Sequence, residues 1–105
     1  MQRLIEQLMG EGEVSGKSGP VGRFHYHLAV YQHFSDREGE PVPAHVEVEG
    51  RVSAVDASDD PAIVTGLHRR GLELTLRLAD GRTLDFRIVD GEGRIHSTGR
   101  GLRTG

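Results

Sequence analysis

Residues Gly71 to Gly91 read GLELTLRLADGRTLDFRIVDG. Leu72, Leu74, Leu76 and Leu78 alternate with Glu73, Thr75 and Arg77, and Leu84, Phe86 and Ile88 alternate with Thr83, Asp85 and Arg87. A period of two sends every second side chain to the same face of an extended chain, so the segment is an antiparallel hairpin with one apolar and one wet face. The same parity fixes its loop. A two-residue Asp80-Gly81 turn would set inward Leu78 against outward Thr83, whereas a three-residue loop, Ala79-Asp80-Gly81, opposes Leu76 to Leu84, Leu74 to Phe86 and Leu72 to Ile88. Such a loop needs a positive φ at its third residue, and Gly81 supplies it.

Two longer runs upstream carry the same signature. From Phe24 onward Phe24, Tyr26, Leu28, Val30 and Phe34 occupy one parity, and Arg23, His25, His27, Ala29, Tyr31 and His33 the other. After the charged, proline-bearing connection SDREGEPVP, Val46, Val48, Val52 and Ala54 alternate against His45, Glu47, Glu49, Arg51 and Ser53. These two strands pair, with Tyr31 opposite Glu47, His27 opposite Arg51 and His33 opposite His45. A turn over DASDDP, a shorter strand at AIVTGLH and a last strand at RIHSTG follow, and RGLRTG reads as a frayed tail. At the start, Leu4, Ile5, Leu8 and Met9 have helical spacing, with Gly10 as a stop.

These elements describe an all-β protein: a small antiparallel β-barrel, or a flattened barrel or sandwich, of six to seven strands with a short N-terminal helix. The helix over residues 1–10 is expected to cap one barrel that occupies residues 11–105. The 105 residues make one domain, and with 35% hydrophobic residues and no Trp its core rests mainly on Leu, Val and Ile.

Composition removes several kinds of chemistry. Without cysteine there is no disulfide, thiolate metal site or thiol nucleophile. The formal charge is -3, and neither half of the chain carries a basic footprint, which argues against nucleic acid as a partner. No run reaches the roughly 20 apolar residues of a membrane span, and a cytoplasmic location is expected. Gly16-Lys17-Ser18 lacks the first glycine of a phosphate-binding loop, since Glu11 stands there. No complete catalytic motif and no cofactor-binding fingerprint are present.

The histidines are what remains. His25 and His27 lie two apart on one strand face, and the run locally resembles the first motif of the cupins, overlaying Gly19, His25, His27 and Gly39, with Gln32 where that family has its ligating Glu. The resemblance covers about a fifth of the chain and implies a metal-dependent enzyme with ligands inside a barrel. The chain departs from it at Gln32 and in having no segment for the third His. Parity points elsewhere. It turns His25, His27 and His33 outward and gathers His33, His45 and Glu47 on one surface patch, a set able to hold zinc or a similar divalent ion. His27, Tyr31 and His33 on that face are also candidates for a homodimer interface.

The leading expectation is therefore a non-catalytic binding or assembly module whose partner is a second copy or a small apolar ligand inside the barrel. The alternatives are a metal-dependent enzyme built on a surface or cupin-like histidine cluster, and a nucleic-acid-binding barrel of the OB type. His68 and His96 appear isolated.

Overall fold

A computed structural model of the chain describes residues 2–17, 19–55 and 60–104. Six strands and one helix run in the order β1 (Gln2–Gly16), β2 (Gly19–Arg37), β3 (Glu40–Ala54), α1 (Asp60–Arg70), β4 (Leu74–Arg77), β5 (Thr83–Ile88) and β6 (Arg94–Arg103). All neighbours are antiparallel and the sheet closes on itself as β1-β2-β3-β6-β5-β4. Among the described residues no helix is long and apolar enough to cross a membrane.

The hairpin has the register that parity demands. Leu74 faces Phe86 and Leu76 faces Leu84 across β4 and β5. Its loop is closed by the Leu78 N–H to the Arg82 carbonyl at 2.8 Å and the Gly81 N–H to the Leu78 carbonyl at 3.0 Å, with Gly81 at φ 92°. The expected third pair does not form. Leu72 precedes β4 and is exposed, and Ile88 instead pairs with Ile95 of β6.

The inner face of β2 is the expected one, with Phe24, Tyr26, Leu28 and Val30 buried against Val48, Val52 and Ala54 of β3 and the leucines of the hairpin. Side chains fill the barrel: Leu28, Val48, Leu76, Leu84 and Phe86 have no measurable exposure. At Gly50 a side chain could not be accommodated, because a Cβ there would run into the His27 carbonyl oxygen and lie 2.9 Å from the Leu28 Cα. β2 and β3 approach closely at this point, and the same stretch of β3, Glu49–Arg51, pairs on its other edge with β6.

Three further expectations are overturned. The N-terminal helix over residues 1–10 is not formed: residues from Gln2 onward are strand β1, paired with β2 from Gln2–His33 to Gly16–Gly19. A ten-residue helix standing alone is marginal in water, whereas pairing with β2 gives the backbone partners along the whole length. A register shift between Leu4 and Glu6 puts one extra residue, Ile5, into β1 and reverses its parity, so that helical spacing was mimicked. The strand expected at AIVTGLH is instead α1, whose Val64 and Leu67 are buried against the barrel. This helix packs on β3 and β5. The tail is not frayed, since Leu102 pairs with Leu84 and Arg103 with Thr83, and the Arg103 guanidinium lies 2.9 Å from Asp85. Of the turn expected over DASDDP, residues 56–61, residues 56–59 lie outside the described residues, and Asp60 and Pro61 are the first residues of α1.

The barrel is shorter than its longest strands. β3 pairs with β6 at Glu49–Arg51 and β1 with β4 at Glu13–Ser15, so the other halves of β1, β2 and β3 continue as a three-stranded arm. The molecule is accordingly elongated, 52 × 27 × 22 Å. Val46 and Phe34 lie on the arm beyond the packed interior, which is why Val46 is exposed although its parity is inward.

Candidate functional site

The β2–β3 register runs Phe24–Ala54, His27–Arg51, Ala29–Glu49, Tyr31–Glu47 and Gln32–Val46, then resumes at Phe34–Pro43. Between the last two pairs a single residue of β2, His33, stands against two of β3, Ala44 and His45. This bulge re-aims both imidazoles. Their rings stack with centroids 4.4 Å apart and planes 10° from parallel.

Glu47 sits beside the stack and is the centre of the cluster. His33 Nε2 donates to Glu47 Oε2 at 2.8 Å, His45 Nε2 lies 4.0 Å from Oε1, and His96 Nε2, from β6, lies 3.7 Å from Oε1. The hydrogen bond from His33 outweighs partial burial and, with the neighbouring imidazoles, holds the Glu47 carboxyl below its ordinary pKa. The nitrogens of His33 and His45 and a Glu47 oxygen lie within 4.8 Å of one another. The sequence-derived trio His33, His45 and Glu47 is thus brought together, and His96, read as isolated, joins it. Alternation with inward Ile95 marks His96 as outward-facing, but nothing in the sequence says that β6 lies beside β3.

The orientation of the His96 ring follows from its surroundings. Its Nδ1 lies 3.1 Å from the Ser97 carbonyl oxygen, which can only accept, so Nδ1 donates there and Nε2 is directed toward Glu47.

His25 and His27, the pair that resembles the cupin motif, point away from the interior. Both are exposed, and His25 Nδ1 lies 3.6 Å from Glu11. Ligands directed into the barrel are not supplied by these residues, because turning them inward would expose Phe24, Tyr26 and Leu28.

Next to the cluster, the same outer face forms an open groove of about 550 Å³, lined by His27, Ala29, Tyr31, Arg51, Arg94 and His96 among others. Its position follows from small Ala29 and Gly50 standing between larger neighbours. Arg51 and Arg94 reach carboxylates at its edge, Glu92 at 3.5 Å and Asp90 at 3.7 Å. The outer face continues onto β1, where Leu4 is paired with Tyr31 and Met9 with His27; Leu4 is 44% and Met9 74% exposed. The expected interface residues His27, Tyr31 and His33 therefore share one face with two exposed apolar side chains of β1, Leu4 and Met9.

No family model, no curated protein and no solved structure matches this chain.

Proposed function

We propose that the protein is a non-catalytic assembly module that self-associates through the outer face of its β1–β2–β3 arm. One observation carries the reading: Leu4 and Met9 of β1 lie on the same outer face as Ala29 and Tyr31 of the paired strand β2, on either side of Gln7, a partly apolar surface that the packed interior does not use. A face of this kind on a thin-cored domain gains from burial against a copy of itself, and two-fold association of one patch with itself is the commonest closed arrangement. The histidines around the patch then form its polar rim, as at other interfaces. Such a dimer would be a soluble, cytoplasmic species.

The nucleic-acid alternative is weakened by the core, since Phe24 and Tyr26 are buried and could not stack on bases. A small ligand within the barrel is weakened by the side chains that fill it.

Sedimentation of untagged protein over a concentration series at about pH 7.5, with and without a chelator, tests the proposal. A dimer that persists with chelator and dissociates in a Leu4→Glu, Tyr31→Glu variant is the expected result. A monomeric wild type at high concentration would overturn it and leave the groove to a small anionic ligand held by Arg51 and Arg94.

A further inference from the structure

We infer that His33, His45 and Glu47 bind one divalent transition-metal ion of the zinc type, with His96 the nearest group to take the fourth position. The inference rests on the cluster alone and not on self-association.

The donor set selects the ion. Imidazole nitrogens with one carboxylate suit zinc and its neighbours, while calcium and magnesium require mostly oxygen ligands. Geometry brings the donors close to what such an ion needs. In a tetrahedral site with metal–nitrogen bonds of about 2.0–2.1 Å the ligand atoms stand about 3.4 Å apart, and here they lie within 4.8 Å. The remaining closure falls to His45, whose side chain is 64% exposed. His33 is the more fixed partner, at 25% exposure.

Two details of the polar network point to a cation rather than to a solvated face. His96 donates its Nδ1 proton to the Ser97 carbonyl, the arrangement by which metal-bound histidines commonly fix their orientation and leave Nε2 for the metal. Its Nε2 faces a Glu47 oxygen at 3.7 Å, close enough for one ion to be shared between the two. The stacked His33 and His45 rings likewise offer two nitrogens beside one carboxylate, which a single ion satisfies together. On binding, the ion replaces the proton that His33 shares with Glu47, and that proton leaves to solvent.

The test is zinc titration of untagged protein by calorimetry, with Co²⁺ absorption as a second readout of coordination. One zinc per chain is expected, not displaced by excess calcium or magnesium. Glu47→Gln and His45→Ala should each weaken binding about tenfold or more, and His27→Ala, on the same face but outside the cluster, should leave it unchanged. His45 and Glu47 lie at the surface, and a circular dichroism spectrum and melting temperature like wild type in the absence of metal show that the variants fold. Absence of binding by the wild type, or equal binding by wild type and both cluster variants, would overturn the inference.

Discussion

The Tyr26 hydroxyl oxygen accepts a hydrogen bond from the Ala79 backbone N–H at 3.1 Å, joining the middle of β2 to the loop of the β4–β5 hairpin. Tyr26 is 6% exposed and its ring lies beneath Gly10, where an added Cβ would come within 2.9 Å of the hydroxyl. Tyr26→Phe keeps the packing and removes the acceptor. It is expected to cost about 1–2 kcal/mol in urea unfolding, because the part-buried Ala79 N–H loses its partner. An unchanged midpoint would show that water replaces the hydroxyl.

Gly50→Ala should destabilise the protein by about 3 kcal/mol, since the new Cβ meets the β2 backbone rather than a movable side chain. Gly66→Ala makes a contrasting control. Gly66 lies inside α1 with nothing within 4 Å of its Cβ position, so alanine there should stabilise by about 0.5–1 kcal/mol through helix propensity. Thermal melts of the two variants should move in opposite directions.

In the hairpin, Leu76→Ala should cost about 2–5 kcal/mol, as a side chain with no exposure leaves a cavity among Val14, Leu74 and Leu84. Arg77→Ala, one residue on and facing solvent, should change stability by less than about 0.5 kcal/mol. Equal losses in chemical denaturation would contradict the face assignment.

Arg82 ties the arm to the hairpin loop. Its guanidinium donates to both oxygens of Glu6 at 3.0 and 3.1 Å and through Nε to Asp80 at 2.8 Å. These hydrogen bonds hold the Glu6 and Asp80 carboxyls below their ordinary pKa values. A carboxyl with a lowered folded pKa contributes stability above its unfolded pKa and loses it as pH falls through the folded one. Stability should therefore decline from about pH 5 downward. Arg82→Ala should be less stable near neutrality and show a shallower acid decline. A parallel decline in both proteins, measured by urea unfolding across that range, would assign the acid sensitivity to other groups.

The hairpin was legible in the sequence down to its loop because parity is a local quantity: Leu74, Leu76, Leu84 and Phe86 share a face only when the loop between the strands has an odd number of residues, and three is the short loop that Gly81 allows. The same reasoning placed Tyr31 against Glu47 and brought His33, His45 and Glu47 together, since β2 and β3 are consecutive strands whose alternation is strong. It failed where the local signal had two readings. Leu4, Ile5, Leu8 and Met9 fit a helix, and the strand was disguised by the extra Ile5 and by Gly10 and Gly12, which have no side chain to mark the inward parity. Ile63, Val64 and Leu67 were too few to separate strand from helix, and burial of Val64 and Leu67 on the barrel decided it. His96 reached the site through β6 lying beside β3, more than forty residues away in sequence, a neighbour relation set by closure of the ring. Closure also fixed where the barrel ends and the arm begins, because the number of strands around the ring, not any one strand's hydrophobic pattern, determines how much of a long strand finds a second partner.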